Sequence, residues 1–138
     1  MQRTRRIVWW GFVGILVTVL AATAAELAVE KVDPDDLARV EAFVRGAPTF
    51  RFDGIEESLR LEAVRRLAFC PGCYEYTLYF ESRFPGYGDR RGDLLSPART
   101  PHRAKVLLVN RQVVSGLLDG AWDMVHQLIV DYECTYQP

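Results

Sequence analysis

The chain has 138 residues, of which 49% are hydrophobic, 25% charged and 12% aromatic. That length holds one domain rather than two, and the apolar share excludes a disordered chain. Three cysteines are too few for a disulfide scaffold, and a formal net charge of -1 gives no basic field that would argue for nucleic acid.

The near-neutral total conceals an uneven distribution. Arg3, Arg5 and Arg6 stand at the start, and every acidic residue lies at Glu26 or later. From Glu26 onward 14 basic and 18 acidic side chains leave a net of -4, ordinary for a soluble domain. Ile7 to Ala25 is a run of 19 residues without a charge. Positive charge stays on the cytoplasmic side, so the remainder is expected outside. Two readings of residues 1–25 remain open. One is a signal peptide cut near Ala22-Thr23-Ala24. The other is an uncleaved transmembrane anchor, with a helix just long enough for a hydrocarbon core of about 30 Å and Trp9 and Trp10 at the headgroup level. Both place residues 26–138, read as one exported domain, outside the cytoplasm. The body is then anchored in the membrane, or secreted or periplasmic if the leader is cut.

Within that body, Asp33-Pro34-Asp35-Asp36 starts a helix. Asp33 caps it, Pro34 suits the first turn, and the carboxylates favour the positive end of the dipole. Leu37, Val40 and Val44 recur at helical spacing, and Gly46 and Pro48 end the pattern. Phe50-Arg51-Phe52 alternates, as do Leu59, Leu61 and Ala63, so a strand is expected inside Ile55 to Ala68. Cys73 to Phe84 is the clearest strand, with Tyr74, Tyr76, Leu78 and Phe80 on one face. Pro85 to Pro101 is rich in Gly, Pro, Asp and Arg and reads as a long loop. Arg103 to Val109 and Val113 to Leu118 form a hairpin around Asn110-Arg111-Gln112. Trp122, Val125 and Ile129 predict a final helix over Gly120 to Val130. The expected fold class is α+β: a hydrophobic N-terminal helix, then one amphipathic helix packed on an antiparallel sheet of about four strands, and a short C-terminal helix. Cystatin-like domains share that shape, an analogy of architecture that carries no activity.

Cys70-Pro71-Gly72-Cys73 is the most conspicuous local motif. It reads as a Pro-Gly turn with a structural disulfide, as a redox dithiol, or as half a zinc site. A reactive dithiol wants its first thiol at a helix N-terminus, whereas a strand follows Cys73. Zinc wants four ligands, and the remaining Cys134, His102 and His126 form no second paired motif, so no metal is expected. In the loop, Tyr87, Asp89, Arg90 and Asp93 are candidate binding residues, since long structured loops in small domains tend to carry function. Asp89 and Asp93 lack the spacing of a calcium loop. Arg91-Gly92-Asp93 is an integrin-type tripeptide that arises easily by chance. His102, Trp122 and Asp123 complete the candidate set. Asp119 and His126 lie beside them, and Asp123 with His126 would share a helix face. No serine-hydrolase, phosphate-loop or zinc-protease signature is present.

Gln112-Val113-Val114-Ser115-Gly116 resembles the Q-x-V-x-G hairpin of cystatins, which implies inhibition of cysteine proteases, although its place in the chain departs from that family. Phe52-Asp53-Gly54-Ile55, the cysteine turn, Gly86-Tyr87-Gly88-Asp89-Arg90, Thr100-Pro101-His102 and Trp122-Asp123 together resemble a group of small uncharacterised exported proteins of archaea and bacteria. That resemblance covers Ala47 to Met124 and implies one inherited domain, with no catalytic residues to carry over. The expectation is a non-catalytic, membrane-anchored or secreted binding domain without a cofactor. It would take a protein or small ligand through the loop and the adjacent sheet end. Its membrane partner acts through residues 7–25, and no nucleic acid is expected. A thiol-disulfide protein using Cys70 and Cys73, and a cystatin-like inhibitor, are the alternatives.

Overall fold

A computed structural model describes residues 32–130. The leader, the residues that follow it up to 31, and Cys134 lie outside the described residues.

Helix α1 (Pro34–Gly46) begins as its sequence requires. The Asp33 side chain accepts from the amides of Asp35 and Asp36, and Pro34 occupies the first turn. Its buried face carries Val40 and Val44. Ala47 is extended, and Pro48 opens a second short helix, α2 (Pro48–Asp53). The alternating Phe50-Arg51-Phe52 therefore lies in a helix and not in a strand. Phe50 faces the core and meets the Phe80 ring edge-on at 5.0 Å. Phe52 turns toward Phe84 at 6.4 Å.

Six strands follow: β1 (Gly54–Arg66), β2 (Cys73–Ser82), β3 (Thr100–Val109), β4 (Gln112–Leu118), β5 (Trp122–Asp123) and β6 (Leu128–Ile129). They form one antiparallel sheet in chain order. In β2, Tyr76, Leu78, Phe80 and Ser82 are buried and alternate with half-buried neighbours. They face His102, Ala104, Val106 and Leu108 of β3 in the same core layer. Val40, Val44 and Phe50 cover that face. The other face is a charged, open surface, where Glu62 pairs with Arg103 and Glu75 with Arg65. β1 is irregular between Ile55 and Arg60. There the Ser58 hydroxyl donates to the Ile55 carbonyl and accepts from the Glu81 amide, bridging the interrupted ladder.

The expected α+β layout is corrected. The described domain is sheet-dominated, with six strands instead of about four and two short helices instead of one. The predicted C-terminal helix is absent. Gly120 to Val130 holds β5, β6 and their turns. Asp119 and Gly120 both have positive φ (54° and 72°), and the Ala121 amide returns to Leu118 at 3.0 Å. This is the Asp-Gly hairpin turn whose twist suits flanking strands. Asp123 then closes a second turn by accepting from the amides of Val125 and His126. Gln127, at φ 57°, sends the chain back along β5. The helical spacing of Trp122, Val125 and Ile129 had no shared buried face behind it: Val125 and Ile129 are exposed. The expected hydrophobic N-terminal helix falls on residues outside those described. Among the described residues, no helix is long and apolar enough to cross a membrane.

The molecule has two distinct ends. At one, the β1–β2 turn packs on the β3–β4 turn, where the Asn110 amide donates to the Gly72 carbonyl at 3.0 Å. Arg111 in that turn reaches Asp33, Asp35 and Asp36 at the start of α1. At the other end, α2 meets the loop that joins β2 to β3. Cys73 and Ser82 open and close β2, roughly 30 Å apart at normal strand rise.

Candidate functional site at the loop end of the sheet

Asp53, the last residue of α2, organises the loop end. It is 4% exposed, and its partner Arg90 is 5% exposed. The Arg90 guanidinium ion-pairs with the Asp53 carboxylate and also donates to the Gly86 carbonyl. The other Asp53 oxygen accepts from the Phe84 amide at 2.7 Å. Arg90 also lies over the Phe52 ring, 4.9 Å from its centroid. A second clamp comes from Thr49, whose buried hydroxyl accepts from the Gly88 amide at 2.7 Å. The loop is thereby fixed along its first half by two residues of α2. Arg90, a candidate ligand contact from its sequence position, is an internal strut.

The structure brings Tyr87, His102 and Trp122 together. Tyr87 stacks on Trp122 with centroids 5.6 Å apart and planes 11° apart. Its ring lies 5.9 Å from His102, which packs 5.0 Å from Phe80. Gly88 has positive φ, and a Cβ there would stand 3.2 Å from the Trp122 ring. Gly88→Ala is therefore expected to cost about 1–2 kcal/mol through backbone strain and displacement of the stack. A denaturant midpoint lowered with an unchanged slope would show it.

His102 is the centre of a buried polar chain. Its Nδ1 lies 2.6 Å from an Asp119 oxygen, and its Nε2 lies 3.0 Å from the Ser82 hydroxyl. The Ser82 hydroxyl also contacts the Phe84 carbonyl at 2.7 Å. Ser82 has one proton to give. It can donate to the Phe84 carbonyl or to His102 Nε2, but not to both. Burial pushes the Asp119 carboxyl up, but the His102 ring, the Arg103 amide and Tyr87 outweigh it and hold it below the usual carboxylate range. Burial and the same carboxylate push the Tyr87 phenol up.

The order serine, histidine, aspartate invites comparison with a hydrolytic triad. The surroundings oppose it. Ser82 is fully buried and His102 nearly so, so no substrate carbonyl reaches the hydroxyl. The two ring contacts, Nε2 to Ser82 and Nδ1 to Asp119, are those a triad also makes, so burial is what decides against it. Ser82, Asp53 and Thr49 were not singled out in the sequence as site residues. Only Asp53 had a visible signal, as the polar member of Phe52-Asp53-Gly54.

The remaining candidates disperse. Asp89 is exposed and holds Arg91 through both carboxylate oxygens, which keeps its carboxyl low. Asp93 is an exposed loop residue whose amide donates to Arg90. Asp123 is the last residue of β5, its side chain closing the turn that follows, and it does not lie in a helix. Its pair with His126 at 2.8 Å is exposed, and amide and ring donors from His126 hold its carboxyl low. Cys70 and Cys73 are joined as a disulfide with Cα atoms 5.4 Å apart, at the opposite end of the sheet. Cys73 is 2% exposed at the start of a strand, with no helix terminus to stabilise a thiolate. Gln112 to Gly116 lies along β4, paired with β3, and Gly116 packs under Phe43. Among the described residues, no cluster of three metal-ligating side chains occurs.

Two hollows flank the loop end. One, of about 310 Å³, lies between α2 and the loop and is lined by Pro48, Arg51, Phe52, Asp89 and Arg91. The other, of about 420 Å³, lies beside Asp119, where Arg103, Lys105 and Leu117 contribute. No protein family matches the chain, and no curated protein or solved structure matches it.

Proposed function

We propose that the protein is a non-catalytic binding domain, held outside the cytoplasm by residues 7–25, which takes an anionic group in the hollow between α2 and the loop. The observation that carries this reading is the buried Arg90–Asp53 pair. Desolvating two charges is costly, and here that cost fixes a surface loop against a short helix. A loop held in this way forms a preorganised wall. Arg51 and Arg91 then flank the half-buried Phe52 ring, and Asp89 balances one of the two cations. Arg51 has no ion-pair partner among the described residues, so one positive charge stays available over an apolar floor. This chemistry suits a carboxylate borne on an apolar body, whether a small molecule or a peptide side chain.

The test is an NMR titration of the full chain with N-acetylphenylalanine and with its neutral amide. The carboxylate should shift Arg51, Phe52 and Arg91, and Arg51→Gln should weaken it about tenfold, the loss of roughly 1.4 kcal/mol. Equal binding of the amide, or shifts confined to residues outside the hollow, would reject the assignment. Loss of an exported location with binding intact would reject only the placement.

A further inference from the structure

We infer that the tip of the β1–β2 turn, led by Phe69, rests in the interfacial layer of the same bilayer that holds residues 7–25. The inference builds on the anchored placement proposed above and adds a second contact with lipid. Phe69 is 84% exposed. A single exposed apolar side chain is ordinary on a wet surface; here the ring extends a small uncharged apolar patch with Ala68 and Pro71 at a turn tip.

The turn is built to present that ring. Cys70 and Cys73 close it covalently, and Cys73 is buried at the foot of β2. Its backbone bonds point inward: Leu67 donates to Cys73, Cys70 to Leu67, and Cys73 to Cys70. These three bonds reduce the number of peptide groups that lose water when the turn enters the headgroup region. Pro71 locks one torsion and removes one donor. Ala68 and Pro71 beside Phe69 are also exposed and carry no charge.

The place of the turn in the fold supplies the direction. Its neighbour in space is the β3–β4 turn, whose Arg111 grips the first carboxylates of α1. The turn therefore stands at the end of the domain where the chain arrives from the leader. Glu26 to Asp33 are eight residues, so a fully extended connection spans at most about 28 Å. That tether gives the tip a high effective concentration at the surface, which makes one aromatic contact sufficient to hold it. Charge plays little part. Arg65, Arg66 and Arg111 at this end stand against Glu75 and the three aspartates, which leaves it close to neutral. The partner is thus the apolar-polar boundary of the bilayer and not an anionic headgroup.

The test uses the full chain in phosphatidylcholine nanodiscs with a nitroxide carried on the lipid. NMR signals of Ala68 and Phe69 should broaden, while Leu94, an equally exposed apolar residue in the loop at the far end, should not. Phe69→Ser should abolish the broadening at Ala68 and leave the rest of the spectrum in place. Added salt should leave it unchanged. A chain that stays in the disc with Ala68 and Phe69 no more broadened than Leu94 overturns the contact and leaves the anchor standing. A contact that requires anionic lipid, or is lost in salt, overturns it as well. A chain that leaves the disc altogether overturns the anchor and the contact with it.

Discussion

Asp53→Ala should cost about 3–5 kcal/mol of stability, because it leaves the Arg90 guanidinium buried without its counterion. It also removes the acceptor for the Phe84 amide. For a domain of this size, that loss corresponds to a melting temperature lowered by more than about 10 °C. Hydrogen exchange should open first at Phe84 to Arg90, since both the strut and the loop entry depend on this carboxylate. Arg90→Met should be milder than Arg90→Ala, because its length can still cover Phe52. The pair Asp53→Leu with Arg90→Met should recover much of the loss, since neither charge is then buried alone. A double variant as unstable as Asp53→Ala would show that the pair contributes through geometry that apolar packing does not restore.

Asp119→Asn is the second large expected effect, about 1.5–3 kcal/mol, the range for a hydrogen bond to a charged group. The native carboxylate faces the His102 ring, and its other oxygen accepts from the Arg103 amide at 2.7 Å. Its folded pKa is lowered, so the unfolded chain binds its proton more readily than the folded one. The stabilisation is then fully present above the unfolded value of about 3.9 and declines as pH falls through the lower folded value. The native protein should lose stability across this acid window, and Asp119→Asn should lose less there because its side chain does not titrate. Urea midpoints measured from neutral pH downward, on both proteins, test the claim. Parallel curves would remove Asp119 from the acid response.

The sequence exposes the elements whose periodicity and punctuation agree. Asp33-Pro34 caps α1 as read, and Tyr76, Leu78 and Phe80 share one buried face of β2. It misleads where a period appears without a face to bury. Trp122, Val125 and Ile129 fit a helix by spacing, yet Asp119-Gly120 just before them is a strong hairpin signal, and turn chemistry prevails over the period. Phe50-Arg51-Phe52 is too short for alternation to outweigh the proline that opens α2. The candidate site was legible in part. Tyr87, His102 and Trp122 meet because aromatic residues of a loop and two strands close one end of the core. Arg90 could not be assigned from the chain alone, since an arginine in a polar loop gives no sign of a buried partner 37 residues away. Ser82 was hidden similarly, as the last inward position of a strand whose other inward residues are large and apolar.

The order of the sheet bears on how the protein is made. Each strand pairs only with those next to it along the chain, from β1 through β6. Among the described strands none waits for a partner distant in the order, and the longest closure is the β2–β3 loop, whose length adds only slowly to the entropic barrier. A polypeptide emerging amino-terminus first, from a ribosome or a translocation pore, meets every pairing partner already delivered. Assembly can proceed by successive zipping, without a long-lived exposed edge waiting for residues still to arrive.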